Sequence, residues 1–291
     1  MTALHRNLLG WLLIVPALSL ILLFTHVPAL ATLLSSMFSR GTAIRLSQFI
    51  GLANYRQLAS DPVFIKAFSN NIVYAFATVL PSIAIAILMA VWVNGHIPAR
   101  SFLRLSFFSP TILPMIAAAN IWLFFYTPDI GLFDQVFSLF GLKGPNWLGS
   151  PDMALPSIII MTIWKESGFF MIFYLAGLQS IPASLHEAAV MEGAGRFRIF
   201  RSITFPLLMS TTLFVLINAL LNAFKRVDHL FILTKGGPNN ASNLLLYYIY
   251  ETAFSFFDTP YAATITVVLL CILIAAAFAK LSLLDKRIHY R

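Results

Sequence analysis

The stretch Ile181–Pro206, IPASLHEAAVMEGAGRFRIFRSITFP, stands apart from the apolar sequence on either side of it. Its 26 residues include two glutamates, three arginines, four alanines and two glycines, in a chain that is 59% hydrophobic. So polar a segment cannot cross a bilayer, because a helix that spans ~30 Å of hydrocarbon needs about 20 predominantly apolar residues. The stretch therefore separates two long apolar runs and meets something other than lipid.

The first half of this stretch has the pattern of a short helix. Ser184 and Glu187 have the spacing of a capping box, in which each side chain satisfies a backbone N–H at the helix start. Gly193 and Gly195 can end the helix in a left-handed cap. The three arginines that follow alternate with apolar residues, which suits an interfacial elbow. Helical spacing predicts one narrow face of mainly small side chains, formed by Leu185, Ala188, Ala189 and Glu192. On the residues alone, an ordinary loop helix explains this pattern equally well.

The composition is that of a multi-pass membrane protein. Mean hydropathy is +0.84 and only 10% of residues are charged, against roughly 25% in soluble proteins. The formal charge of +8 does not indicate nucleic-acid binding, because the basic residues are scattered over short loops. We predict a single all-α domain over residues 1–291 with six membrane spans, at about 8–34, 72–93, 105–126, 154–178, 203–224 and 262–284.

The distribution of Lys and Arg predicts the sidedness of the chain. With the N-terminus inside, the inside segments hold 10 of the 19 basic residues, among them Arg196, Lys286, Arg287 and Arg291, and the outside loops hold 8, among them Arg45. The inside segments are about half as long in total, so their density of positive charge is higher. We therefore expect both termini to be cytoplasmic.

Resemblance to a known family sharpens the interpretation of the opening stretch. Glu187-Ala188-Ala189, the glycine at Gly193, Ile203 and Pro206 closely resemble the EAA loop of ABC importer permeases. That family usually has Asp before the glycine and Leu before the proline, where this chain has Glu192 and Phe205. In such permeases the loop is a cytoplasmic coupling helix that docks in a groove of the ATP-hydrolysing subunit.

Other stretches resemble the carbohydrate uptake branch of the same family, of the maltose and glycerol-3-phosphate type. Phe49–Tyr55 resembles the F-x-G-L-x-N-Y segment after the first span, and Leu175–Pro182 resembles the run into the coupling loop. Thr234–Pro238 resembles an external T-x-G-G-P segment. Together these stretches cover most of the chain.

The resemblance implies a six-helix bundle of the type I ABC importer kind in a bacterial inner membrane, with the coupling loop at 179–202. The implied partners are a second permease, two ATPase subunits and a soluble substrate-binding protein. ATP and magnesium would bind the partner ATPase and no cofactor would bind this chain, which has no G-x-x-x-x-G-K-[ST] motif. The residues implied in ATPase coupling are Ser184, Leu185, Glu187, Ala188, Ala189, Glu192 and Gly193; those implied in contact with the binding protein are Gly236, Gly237 and Pro238.

Polar residues inside the predicted spans are candidates for the substrate pathway, since burying them in lipid is costly. Amide side chains both donate and accept hydrogen bonds, which suits hydroxyl-rich ligands. Interhelical hydrogen bonding explains the asparagines equally well, and a structural role is the stronger alternative for the adjacent Lys165 and Glu166. The candidates are Asn120, Lys165, Glu166, Asn218 and Asn222. No metal-ligand motif is present in the sequence.

Two other classes of protein remain as alternatives. A membrane-embedded enzyme acting on lipid-linked substrates would cluster acidic residues or histidines at one membrane face, whereas the acidic residues here are dispersed. A self-contained secondary transporter would not need the coupling segment.

Overall fold

The computed structural model describes residues 3–41, 46–95 and 97–284, and their only regular structure other than helix is an isolated bridge between Phe38 and Phe49. The all-α prediction is therefore confirmed. Four of the basic residues used to predict the sidedness, Arg45, Lys286, Arg287 and Arg291, lie outside the described residues.

Helices follow one another along the whole described chain. In order they are α1 (Ala3–Ile21), α2 (Val27–Ser35), α3 (Ala53–Ala59), α4 (Pro62–Asn94), α5 (Arg100–Ile112), α6 (Met115–Phe125), α7 (Leu132–Leu139), α8 (Pro151–Gln179), α9 (Ala183–Met191), α10 (Arg196–Ile199), α11 (Phe205–Leu207), α12 (Met209–Lys225), α13 (Asp228–Leu233), α14 (Leu245–Tyr250) and α15 (Thr259–Leu284). Three π-helical turns continue them, at Leu22–His26 after α1, Phe200–Thr204 after α10 and Glu251–Ser255 after α14.

Most of the predicted spans have a helical counterpart of sufficient length. Among the described residues, Trp11–Ser35, Pro62–Asn94 and Pro151–Gln179 are long and apolar enough to cross a membrane. Two bent pairs, Arg100–Ile112 with Met115–Phe125 and Arg196–Leu207 with Met209–Leu233, pass the same test together. The sixth predicted span lies within α15 (Thr259–Leu284). The chain is a multi-pass membrane protein, and the number six stays a prediction.

The third predicted span, 105–126, is wrong as a single helix. The two halves of this region, α5 and α6, are bent by 99° relative to each other. Pro114 has no N–H to continue the α5 hydrogen-bond ladder, and its ring disfavours helical geometry at the preceding residue. Leu113 accordingly is extended, with φ −68° and ψ 135°.

The second predicted span begins ten residues too late, because α4 starts at Pro62 rather than Ile72. The polar residues that set the predicted boundary are buried and bonded in the structure. Asn70 donates from Nδ2 to the carbonyls of Asn240 (2.9 Å) and Asn243 (3.0 Å). Asn71 accepts the Leu245 N–H at 3.2 Å. Their amides thus stay inside the helix without meeting lipid.

The described residues form two compact units, the first within Met1–Phe64 and Tyr248–Ile272 and the second within Ile65–Tyr247 and Leu273–Arg291. In the first unit, hydrogen bonds from the segment Phe49–Tyr55, which carries the F-x-G-L-x-N-Y resemblance, hold the chain that follows α2. Buried Asn54 donates to the carbonyls of Ser36 and Phe38, each at 2.9 Å. The Tyr55 hydroxyl lies 2.7 Å from Ser36 Oγ.

Asp61 is the polar centre of the first unit. Its Oδ2 accepts hydrogen bonds from the hydroxyls of Tyr248 (2.6 Å) and Tyr261 (2.8 Å), and its Oδ1 accepts the Val63 N–H (2.8 Å). Burial by itself raises the pKa of Asp61, but the two tyrosine hydroxyls and the backbone donors outweigh it, so the pKa of this carboxyl is lowered. Asp61 therefore joins the start of α4 to α14 and α15 as a carboxylate.

Close backbone packing joins α5 to α8 in the second unit. A Cβ atom at Gly168 would overlap the Phe107 carbonyl group. Gly177, near the C-terminal end of α8, allows a similarly close approach to α12, because a Cβ there would lie 2.8 Å from Thr211 Oγ1. Since Gly has no side chain, α8 approaches the helix backbone of α5 more closely than any other residue at position 168 would permit.

Candidate functional site

The predicted coupling segment contains the short helix α9. Gly193 follows it in the left-handed conformation (φ +77°), with its N–H bonded to the Val190 carbonyl at 2.9 Å. The Ala194 N–H bonds to the Ala189 carbonyl at 3.0 Å. This pattern satisfies carbonyls at the helix end, so the predicted left-handed cap is confirmed at Gly193. Gly195 is not part of it, since its φ of −69° and ψ of 158° place it before α10.

The predicted capping box is wrong. The residue that precedes α9 is Pro182, in extended geometry and without a side-chain cap. Ser184 is already the second helical residue, so its hydroxyl is not at the N-cap position where it would accept an N–H from the first turn. The sequence pattern placed the helix start two residues too late because the backbone of Pro182 itself fits the position before a helix.

One residue of the predicted narrow face of α9 packs against the chain, and the other three are exposed. Ala189 is buried, whereas Leu185, Glu187, Ala188, Glu192 and Gly193 are exposed along with Ser184. The His186 Nε2 and Thr204 Oγ1 atoms lie 3.3 Å apart and connect α9 to the π-helical turn before α11. The small side chain at position 189 thus lets α9 pack closely against its own chain, while most of its other side chains stay exposed.

Val190 and Met191, which the sequence reasoning missed, form an apolar tip on this segment. Met191 is 88% exposed and Val190 is 61% exposed. Leaving apolar side chains this exposed to water is unfavourable. The elbow that follows adds Phe197 at 75% exposure. Its basic residues Arg196, Arg198 and Arg201 are exposed, as the interfacial elbow predicts. A methionine placed directly before the Glu-Gly helix end was the signal that could have identified the tip.

Within the second unit, α4, α8 and α12 enclose a polar cavity. Arg226 Nη1 donates to Glu166 Oε1 at 2.6 Å, in an ion pair whose Glu166 side chain is 8% exposed. Glu166 Oε2 is buried without a well-formed hydrogen bond to the described residues, with the Asn222 amide as a neighbouring donor. The free volume is ≈ 20 Å³, which holds about one water molecule. In this state the cavity is closed to a ligand as large as a sugar.

Hydroxyl groups line the α4 side of this cavity. Tyr74, Thr78 and Ser82 recur at every fourth position of α4 and share one face. The Tyr74 hydroxyl lies 3.0 Å from Thr162 Oγ1 on α8 and 3.3 Å from His229 Nε2 on α13. The sequence reasoning missed these residues, although a spacing of four between hydroxyl residues in a predicted span is a readable signal. Tyr74 thus joins α4 to α8 and α13 through polar contacts that the bilayer cannot replace, whereas Thr78 donates to the Tyr74 carbonyl of its own helix at 2.6 Å.

Lys165 points away from Glu166, toward the bend between α5 and α6. Its Nζ donates to the carbonyls of Pro110 (2.9 Å) and Leu113 (2.6 Å), and its side chain is buried. The Pro110 carbonyl would bond to the N–H of residue 114 in a continuous helix, but residue 114 is proline. The ammonium therefore supplies the donor that the bend removes.

The structure brings together two of the five candidate pathway residues, Glu166 and Asn222, at the cavity. Asn120 is exposed and Asn218 is half-buried, and each amide donates to its own helix, to the Ile116 carbonyl (2.9 Å) and the Phe214 carbonyl (2.8 Å). Their remaining hydrogen-bonding capacity faces outward from this chain.

The candidate binding-protein segment is a compact turn rather than an open loop. Gly236 is buried in the left-handed conformation, and its hypothetical Cβ would lie 3.1 Å from the Tyr247 ring. The Ser242 hydroxyl donates to the Gly237 carbonyl at 2.6 Å. Gly237 and Pro238 are half-buried, whereas Lys235 and Asn239 are exposed. Contact with another protein would therefore begin at the two flanking residues.

Chemistry at a metal centre finds no support in the described ranges, where no group of three or more His, Cys, Asp or Glu could hold a metal ion. What the described chain offers instead is a set of apolar helices, a small cavity with polar groups among them and an exposed short helix between two of them. This arrangement is that of a multi-pass membrane protein.

Residues 58–290 match the family described as the binding-protein-dependent transport system inner membrane component, and the chain belongs to this family. Its relatives include the trehalose/maltose transport system permease protein MalF of Thermococcus litoralis, 34% identical over 80% of this chain and 79% of MalF. The sn-glycerol-3-phosphate transport system permease protein UgpA of Agrobacterium fabrum is 30% identical over 98% of this chain and 97% of UgpA.

The fold is similar to that of solved permeases. A chain in the crystal structure of a bacterial alginate ABC transporter, in complex with an alginate pentasaccharide-bound periplasmic protein, superposes with a TM-score of 0.86. It is 22% identical, and the match covers 97% of this chain and 96% of that one. The resemblance to ABC importer permeases that was based on Glu187-Ala188-Ala189 is confirmed. Because the family consists of transport components, the membrane-enzyme and secondary-transporter alternatives are set aside.

Proposed function

We propose that this chain forms one half of the translocation pathway of an ATP-driven importer for a sugar or sugar derivative. The observation that carries the proposal is the helix α9, which is held to its own chain at Ala189 and presents Leu185, Val190 and Met191 outward. The named relatives that transport trehalose, maltose or glycerol-3-phosphate support the substrate class. The second half of the pathway is a related permease, giving a heterodimer.

The outward side of α9 is the docking surface for one of two ATPase subunits, which hold ATP and magnesium. An apolar tip seated in a groove desolvates well, and Glu187 and Glu192 at its rim fix the orientation through polar contacts. Residues 179–202 are then the cytoplasmic coupling loop, both termini are cytoplasmic, and six helices cross the inner membrane. The flanks of Gly236, Gly237 and Pro238 face the soluble binding protein on the other side.

The coupling role is tested with Glu187→Lys and with Gly193→Val in the assembled transporter. Valine at φ +77° costs about 1–2 kcal/mol in backbone strain and shifts the end of α9. We expect both variants to lower substrate-stimulated ATPase activity and uptake by at least about tenfold, which corresponds to a loss of about 1.4 kcal/mol of coupling. Arg56→Glu, a charge reversal at an exposed position of α3, is the matched control.

Normal assembly, ATPase activity and uptake in both variants would sink the coupling proposal. Retained assembly with lowered activity would assign α9 a part in transmitting motion, whereas loss of assembly would assign it to docking of the ATPase.

The polar cavity is the occluded part of the pathway, and Glu166 and Asn222 contact substrate hydroxyls once the helices separate. Asn120, which is exposed, and Asn218, which is half-buried, complete the pathway against the second permease, and Lys165 supports it from the bend. Asn218→Ala and Asn222→Ala should reduce uptake while leaving assembly and basal ATPase activity intact. Unchanged uptake would return both residues to helix packing.

A further inference from the structure

The helix α7, with the residues on either side of it, presents an unbroken apolar surface. Leu132, Val136 and Leu139 follow at i, i+4 and i+7, on one side of the helix, and are all exposed. Ile130, Phe140 and Leu142 extend this surface at both ends, with Leu139 83% and Phe140 76% exposed. We refer to these six residues as the α7 apolar face.

The opposite side of α7 is firmly seated. The Phe133 ring lies 5.3 Å from the Tyr126 ring and 5.5 Å from the Trp147 ring, and Phe137 meets Trp147 edge to face at 5.7 Å. The Asp134 carboxylate accepts the Trp147 indole N–H at 3.0 Å and the Asp129 backbone N–H at 2.8 Å. An aromatic cluster and two hydrogen bonds thus fix the orientation of α7. Its apolar face is exposed because the opposite side of the helix is packed against the chain.

The polar side chains of the segment satisfy their hydrogen bonds locally. Gln135 donates from Nε2 to the Ile130 carbonyl at 3.0 Å, and Ser138 donates to the Gln135 carbonyl at 2.7 Å. The Thr127 hydroxyl donates to the Leu123 carbonyl at 2.9 Å. Since the acidic Asp134 is turned inward, the exposed face of α7 carries no carboxylate. Groups paired in this way can enter a medium that offers no hydrogen bonds.

The position of α7 in the chain indicates that this medium is the lipid bilayer. The helix begins seven residues after α6, the second half of a bent pair that passes the test for a membrane span. Its 8 residues extend only about 12 Å, too short to cross. The exposed Lys143 stands just beyond the apolar face, where an ammonium group meets lipid phosphates. An apolar strip of this kind with a basic end is typical of helices that lie in the bilayer interface.

We propose that α7 is an interfacial helix whose apolar face is inserted among the lipid acyl chains at the membrane boundary, next to the C-terminal end of α6. The helix rests on the lipid while its aromatic cluster holds the end of α6. The proposal requires only the membrane location of the chain and not a particular substrate or ATPase contact, so it stands or falls separately from the proposed function.

Site-directed fluorescence tests the proposal in the full chain. The single cysteine, Cys271, is exposed and is first replaced by serine. A bimane label is then placed at Leu139→Cys, on the apolar face, or at the adjacent exposed position Ser138→Cys, about 100° around the helix from Leu139 and outside that face. The protein is reconstituted in vesicles of phosphatidylglycerol and phosphatidylethanolamine, with either acyl-chain-brominated lipid or iodide as the quencher.

We expect brominated lipid to quench the label at position 139 at least about twofold more than the label at position 138, and iodide to show the reverse order. Equal iodide quenching at both positions would place the face in water and overturn the proposal. Shielding of position 139 from both quenchers would show that a protein covers the face and would overturn it equally. Because Leu139 is 83% exposed, its replacement removes little core packing, so both labelled chains are expected to fold.

Discussion

Lys165 and Pro110 are joined across two helices: the buried Lys165 ammonium donates a 2.9 Å hydrogen bond to the Pro110 carbonyl that Pro114 leaves without its helical donor. The same ammonium serves the Leu113 carbonyl at 2.6 Å. A charged residue in a membrane helix thus stabilises a bend in its neighbour, which accounts for its presence without any contact with substrate.

Lys165→Met tests this role, because methionine keeps the length of the side chain and removes the donor. The buried Pro110 carbonyl then loses its partner, at about 1–3 kcal/mol, and the part-buried Leu113 carbonyl loses its partner at a smaller cost. We expect a midpoint of thermal unfolding several degrees below that of the natural chain in the same detergent. Lys225→Met, at an exposed lysine, is the control and should be nearly neutral. An unchanged midpoint for Lys165→Met would contradict the assigned role.

Arg226→Gln should destabilise the chain by leaving the Glu166 carboxylate buried and unpaired. Breaking a buried pair typically costs about 3–5 kcal/mol, and because the Arg226 side chain is 41% exposed, solvent screening reduces the expected cost to about 1–3 kcal/mol. The double variant Arg226→Gln with Glu166→Gln should recover part of the loss, since no unpaired charge remains. Additive effects in this double-mutant cycle would show that the two side chains do not interact energetically.

Gly168→Ala should separate α5 from α8. Its methyl group would overlap the Phe107 backbone carbonyl, which cannot move aside as a flexible side chain could. We expect a loss of about 1–3 kcal/mol in the free energy of unfolding. Gly195→Ala is the matched control, because nothing lies within 4 Å of a Cβ there and its φ is −69°. If both variants unfold alike, the close approach of the two helices is not needed for stability.

Asp61 predicts a specific dependence of stability on pH. Its pKa is lowered in the folded chain from the ordinary value of 3.8, so the unfolded chain binds a proton more readily. The stabilisation is therefore fully present above the ordinary pKa and is lost as the pH falls through the lowered folded pKa. Thermal unfolding should show Asp61→Asn less stable than the natural chain at about pH 6, with the difference shrinking below about pH 4. A difference that does not change with pH would assign the effect to packing instead.

Local patterns predicted the features that depend on a few neighbouring residues. The left-handed end of α9 at Gly193 followed from the sequence, because a glycine after a helical pattern carries its own conformational signal. The capping box failed on the same scale, since Pro182 began the helix without help from Ser184. A two-residue shift was enough to move the serine out of its predicted position.

Contacts between distant residues lay beyond the sequence reasoning. Pro114 was visible as a helix breaker, but its compensating donor comes from Lys165, on another helix. Asn70 and Asn71 fall outside the predicted span because their partners, the Asn240 carbonyl for Asn70 and the Leu245 N–H for Asn71, lie 170 and 174 residues away. Likewise, the pairing of Glu166 with Arg226 spans 60 residues, and a single sequence does not reveal which of several basic residues a carboxylate meets.

The hydrogen bonds of Lys165 limit how α8 moves. The helix ends at Gln179, just before α9, so Lys165 stands 14 residues or about 21 Å from that end. If α8 pivoted at that end by about 5°, this arm would carry the ammonium about 2 Å, beyond the range of a hydrogen bond. The adjacent Glu166 is held by Arg226 in the same way. If α9 is the coupling helix that we propose, a push on it would move α8 as one rigid helix, together with the bent pair and the end of α12.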